Sequence, residues 1–195
     1  AMNIATDAYY RPLVQRGPVR PADAVILAGG WCWFTHAERL GRHGPSEIVP
    51  ASAIPDAALQ ALTAARPMMA DIDMSAPRLM GILNVTPDSF SDGGLHNGPA
   101  RAVTHGQRMV ADGADILDIG GESTRPGALE VPAEAEIARI EPVISALNKS
   151  VRVPISIDTR KRQVAEVAVS AGAALVNDVS GFTFDRELAR YCAQH

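Results

Sequence analysis

The sequence predicts an α/β protein whose larger, C-terminal part is the first half of a TIM-type (β/α)8 barrel, about four βα units, preceded by a small α/β appendage. Three observations lead there. From Leu79 onward an apolar run, a polar loop and an amphipathic helical pattern recur in that order. The apolar runs are nearly continuous, as expected of strands covered on both faces of a parallel sheet. Each run also ends in polar residues, and a barrel gathers such strand ends into one site. An open doubly wound sheet satisfies the first two observations, but the third favours the barrel. The turn after the first run reads TPDSFSDGG rather than the G-x-G-x-x-G of a dinucleotide fold.

Residues 1–77 form the appendage, and no catalytic unit is recognisable in them. Ala24 to Leu27 reads as a strand ended by Gly29 and Gly30, and Trp31 to Arg39 as a short helix. Ile48 and Val49 suggest a second short strand. Pro55 to Ala65 predicts a helix, because Pro suits the first helical position and DAALQALTAA is rich in strong helix formers. Trp31, Trp33 and Phe34 put three of the nine aromatics within four positions, which fits core packing, with an interface as the alternative. His36 and His43 have no metal-ligand spacing.

Residues 78–195 are the barrel half. The strands are about Leu79 to Asn84, Ile116 to Ile119, Val153 to Ile157 and Ala174 to Asn177. The first helix, from roughly Pro99 to Asp112, carries Val103, Met109 and Val110. A second begins near Pro132, sets Ile137, Ile140, Val143, Ile144 and Leu147 on its apolar face, and must tolerate or kink at Pro142. The third spans Lys161 to Ala171 and is closed by Gly172. A fourth begins near Asp185. The strand entries GADILDIG and GAALVNDV echo each other, as repeated βα units would. Four such units leave open sheet edges and an uncovered apolar inner face, so the chain is expected to be a piece of a longer protein or to be completed by another chain.

Composition limits the functional classes. The 195 residues are 47% hydrophobic and 21% charged, and 18 Lys and Arg against 22 Asp and Glu give a formal charge of -4 without a basic run. Nucleic acid is therefore not an expected partner. Ala24 to Phe34, the most apolar early stretch, is too short and Gly-broken to span a membrane. Cys32 and Cys192 lack a paired spacing and read as small buried hydrophobes, and the expected location is the cytoplasm. Ala1 before Met2 reads as a cloning remnant.

The chemistry lies at the strand ends. Asp118, Asp158 and Asn177 would be aimed into one pocket, where carboxylates can accept paired hydrogen bonds from the amino and ring N–H groups of a pterin or guanine. For any one of them alone, capping a helix or bracing a loop is an equal alternative. Arg125, following Gly120, Gly121, Ser123 and Thr124, suits a phosphate. Asp88 and Asp92 beside Asn84 suit Mg2+, although turn formation is the commoner use of such residues. His96 and His105 are tied to no nucleophile.

These residues carry a resemblance. NVTPDSFSDGG (Asn84 to Gly94), DIGGESTRPGA (Asp118 to Ala128), ISIDT (Ile155 to Thr159) and NDVSG (Asn177 to Gly181) resemble, in this order, the first half of dihydropteroate synthases. The resemblance covers roughly Arg78 to Asp185. It implies a barrel enzyme of folate synthesis and a sulfonamide target. Such an enzyme joins 6-hydroxymethyl-7,8-dihydropterin diphosphate to p-aminobenzoate and releases diphosphate. It also implies that Asp158 and Asn177 hold the pterin, that Asp118 supports the pocket with Val179 near it, and that Asn84 serves Mg2+ and diphosphate.

Phe90 and Asp92 from the first loop, with Thr124, Arg125 and Pro126 from the second, would shape the diphosphate and p-aminobenzoate sites. The partners implied are small molecules, with a possible homodimer. The family's later Asp, its Ser-Arg-Lys lysine and its late Arg and His have no counterpart here, and Lys161 reads as a helix start instead. A non-catalytic pterin-binding or partner subunit is the alternative, and a corrinoid-dependent methyltransferase a weaker third.

Overall fold

A computed structural model describes residues 8–42, 44–86, 98–123 and 130–195. They fall into two compact units, one within Ala1–Met69 and Asp73–Pro77, the other within Ala70–Ile72 and Arg78–His195.

In the first unit, β1 (Ala8–Pro12), β2 (Val25–Ile26), β3 (Trp33–Phe34), β4 (His36–Gly41) and β5 (Glu47–Pro50) precede a short 3-10 turn (Ala51–Ala53) and the helix α1 (Asp56–Thr63). Strands β1, β4 and β5 form an antiparallel sheet in that order, and β2 pairs with β3. The expected helix over Trp31 to Arg39 is thus two strands. Ala, Glu, Arg and Leu favour helix individually, but β4 is paired on both sides, from Pro12↔Ala37 to Ala37↔Val49, and that ladder overrides propensity. Phe34, Ala37, Ala51 and Ile54 form the core, covered by Leu59 and Leu62 from α1. Trp33 and Phe34 are buried as the core reading expects, whereas Trp31 is 52% exposed beneath the Arg16 guanidinium.

The second unit alternates β6 (Met80–Asn84), α2 (Gly98–Ala111), β7 (Ile116–Gly120), α3 (Ala133–Ser150), β8 (Ile155–Asp158), α4 (Arg162–Ala171), β9 (Leu175–Asn177) and α5 (Arg186–Gln194). The four strands are parallel and adjacent in chain order. A doubly wound sheet reverses its strand order, whereas a barrel adds each strand beside the last. Among the described residues one face of the sheet packs on helices: Leu83, Leu117, Ile119, Ile155 and Ile157 meet Ala102 of α2, Ile140, Val143, Ile144 and Leu147 of α3, and Val164 and Ala168 of α4. Each fully buried Leu or Ile contributes about 2 kcal/mol. The opposite face carries Met80, Ile82 and Asn84, all exposed, then Asp118, Ser156, Asp158 and Asn177. It is apolar at the strand starts, where Met80 and Ile82 lie exposed, and polar toward the strand ends.

Helix α3 runs unbroken through Pro142 because the ring lies on its exposed side, where water can serve the carbonyl that the missing N–H leaves free. Gly172 ends α4 with φ 118°, a left-handed conformation that suits glycine. Asp185 caps α5 by accepting the Glu187 N–H at 3.0 Å, and it also accepts the Arg162 N–H at the start of α4 at 2.9 Å. Because one carboxylate serves two helix starts, Asp185→Ala is expected to cost about 1–2 kcal/mol, read as a lower urea midpoint. Cys32 and Cys192 are free thiols and only partly buried. Among the described residues no helix is long and apolar enough to cross a membrane.

Candidate functional site

The strand register sets Asn84, Gly120, Asp158 and Asn177 in one row across the ends of β6 to β9, with Ile82, Asp118, Ser156 and Leu175 in the row beneath. Gly120 leaves a gap in the upper row. A Cβ there would lie 3.5 Å from Asp158 Oδ2 and 3.7 Å from Asn84 Oδ1, so the two side chains flank bare backbone.

Asp118 is buried, and its Oδ2 accepts a hydrogen bond from Asn177 Nδ2 at 3.0 Å, reaching across β8. That bond fixes the orientation of the Asn177 amide. Among the described residues Asp118 Oδ1 and Ser156 Oγ, both buried, have no hydrogen-bond partner. An unmet buried oxygen costs about 1–3 kcal/mol, so this row is built at the expense of stability. Burial, followed by the charges of Asp118, Glu136, Asp178 and Glu122, pushes the Asp158 carboxyl from 3.8 up to about 6.

A charged cluster braces the site from the helix side. Lys161 Nζ donates to Glu136 Oε2 at 2.7 Å, to Glu122 Oε2 at 3.0 Å and to the Val131 carbonyl at 2.7 Å. Glu122 Oε1 accepts the Val131 N–H at 2.8 Å, and Arg160 reaches both Glu122 oxygens at 3.3 Å while its guanidinium lies 3.9 Å over the Phe184 ring. Burial pushes the Glu122 carboxyl up, but the Val131 N–H, Lys161 and Arg160 together hold it below its ordinary value.

Of the residues singled out in the sequence, Asp118, Asp158 and Asn177 come together, Asn84 ends the same row, and Val179 lies 72% exposed just after β9. Asp88, Phe90, Asp92, Thr124, Arg125 and Pro126 lie outside the described residues. Lys161 does stand at the start of α4, yet it is also the centre of the charged cluster, a role that sequence reading missed. The available signal was Glu136, which occupies the same helical stripe as Ile140, Val143, Ile144 and Leu147. Among the described residues no three His, Cys, Asp or Glu side chains gather around a possible metal. The exposed Asn84 amide oxygen is a hard donor suited to Mg2+ that keeps most of its waters or takes phosphate oxygens.

Residues 80–195, more than half of the chain, match the model of a family described as pterin binding enzyme. The chain belongs to this family. Within it, the chain is 52% identical over 117 residues to dihydropteroate synthase of Clostridium beijerinckii, a match covering 60% of this chain and 44% of that protein. The solved structure of Xanthomonas albilineans dihydropteroate synthase with 4-aminobenzoic acid is 53% identical with a TM-score of 0.56, covering 58% of this chain and 42% of that one. The same enzyme in complex with 7,8-dihydropteroate superposes with a TM-score of 0.57 at 45% identity, covering 63% and 44%. The chain thus spans about two fifths of the length of these relatives.

Proposed function

We propose that residues 78–195 supply the pterin-binding half of a dihydropteroate synthase site, which joins 6-hydroxymethyl-7,8-dihydropterin diphosphate to p-aminobenzoate with release of diphosphate. The observation that carries this reading is the single row of Asn84, Gly120, Asp158 and Asn177 above a buried Asp118. Ionised Asp158 accepts hydrogen bonds from the 2-amino and ring N–H groups of the pterin. Asn177, its amide oriented by Asp118, meets the neighbouring edge of the heterocycle with its remaining donor and acceptor. Gly120 leaves room for the pterin between the flanking groups.

At the far end of the row Asn84 would hold Mg2+, which when bound stabilises negative charge on the departing diphosphate. Phe90, Asp92, Thr124, Arg125 and Pro126 are assigned to the diphosphate and p-aminobenzoate sites, with Val179 beside the pterin. Departure of diphosphate breaks the bond to the pterin methylene carbon, and the arylamine nitrogen then bonds to that carbon and loses a proton.

Because Asp158 must be ionised to accept both bonds, pterin affinity is expected to rise with pH up to about 6 and then level off. Calorimetry of this chain with the pterin diphosphate between pH 5 and 8 checks it, and a flat profile would reject Asp158 as the acceptor. A second reading is pterin binding without turnover, as by a non-catalytic pterin-binding or partner subunit. Dihydropteroate formation by this chain at an enzymatic rate would exclude that alternative.

A further inference from the structure

Three donors on one buried ammonium are all spent on one place. Lys161 Nζ holds Glu122, Glu136 and the Val131 carbonyl, while Glu122 in turn holds the Val131 N–H, so both backbone groups of Val131 are fixed by this pair of side chains. At the other end of the same connection the Arg139 guanidinium donates to the Gly121 carbonyl at 2.7 Å. Gly121 follows directly on the last residue of β7, and Val131 leads into α3. Arg160, two residues beyond Asp158, joins Glu122 and stacks on Phe184, which ties the end of β8 and the segment after β9 to the same cluster. Two carboxylates, Glu122 at 7% exposure and Glu136 at 0%, are buried against this cation; Glu122 shares it with Arg160, whereas Lys161 is the cation that compensates Glu136.

We propose that Lys161 is a positioning residue of the pterin site, holding Glu122 and Val131 so that the ends of the β7–α3 connection stay fixed against the strand end that carries Asp158. This rests on the pterin reading given above. Lys161 touches neither pterin nor the reacting carbon; it acts through the groups that surround Asp158. Those groups are Asp118 on β7, Glu122 just after it, Glu136 on α3 and Asp178 after β9, with Arg160 and Lys161 as the cations. Removing Lys161 leaves Glu122 and Glu136 less compensated and the Val131 carbonyl without its partner.

The test compares Lys161→Met with Leu147→Ala, a core substitution on the same helix α3 but eleven residues beyond Glu136, which lowers stability without removing a member of the cluster. Three quantities are read on the whole chain: amide exchange at Val131, the dissociation constant for the pterin diphosphate, and the pH midpoint of that binding. Lys161→Met is expected to speed Val131 exchange at least tenfold, to weaken binding about tenfold and to move the midpoint to higher pH. Leu147→Ala at matched stability leaves affinity and midpoint unchanged. If Lys161→Met does not fold, Lys161→Met combined with Glu136→Gln replaces it, since Glu122 keeps Arg160 as its partner. A folded variant with unchanged Val131 exchange, or with Leu147→Ala-like binding, overturns the proposal. Absence of pterin binding by the unaltered chain overturns the pterin reading instead, and Val131 exchange still decides whether Lys161 holds the connection.

Discussion

Asp158→Asn is expected to weaken binding of the pterin diphosphate by about 30- to 100-fold at pH 8, because the neutral amide replaces the carboxylate proposed above to accept two hydrogen bonds from the pterin. The same substitution is expected to make the unliganded chain more stable at that pH. The folded-state pKa of Asp158, about 6, lies above the ordinary 3.8. Between those values the folded chain therefore binds more protons than the unfolded one, and this group's contribution to stability falls as pH rises through the window. Above pH 6 the ionised carboxylate is a standing penalty. The full shift corresponds to about 3 kcal/mol, and solvent on its open side reduces this to about 1–2 kcal/mol. Urea unfolding at pH 4 and pH 8 checks it: Asp158→Asn should gain at pH 8 and gain little at pH 4. A variant that loses stability at both would show that Asp158 braces the fold.

Gly121→Ala is expected to cost about 3 kcal/mol, a large loss for a single methyl. An added Cβ would lie 2.9 Å from Ile140 Cγ2, 3.0 Å from Glu136 Cγ and 3.1 Å from the Glu136 carbonyl oxygen. Both neighbours are fully buried, and one contact is backbone, so the clash is relieved only by moving α3 away from the end of β7. Such a shift would pull Glu136 from Lys161 and weaken pterin binding along with stability. Urea midpoints for Gly121→Ala, Ile140→Ala and the pair should be non-additive, since Ile140→Ala removes the nearest atom. Simple additivity would place the strain elsewhere.

The second unit was legible because its signals are local. Strands such as ILDIG and ISID are short apolar runs, and the helices between them repeat apolar residues at three and four positions. The first unit was less so. AYYRP of β1 alternates only weakly, and HAERLG of β4 contains good helix formers; both are strands because of partners far along the chain. The site divides the same way. Asp118, Asp158 and Asn177 are visible as polar residues at or near the ends of apolar runs. Ser156 sits inside such a run, where only the register shows that it shares a face with Asp118. Lys161 looks like a helix boundary until Glu122 and Glu136, 39 and 25 positions earlier, are folded against it.

The bare backbone at Gly120 also bears on how such a site can be switched off. A Cβ placed there meets its neighbours at 3.5 and 3.7 Å, ordinary contact distances, so the fold has room for a small side chain that the site does not. An alanine at this position would act as a tethered competitor, taking up at every moment the volume that a diffusing ligand must win by concentration. Loss of function could thus arise at position 120 with the scaffold intact, leaving a decoy with the same surface and an occupied centre.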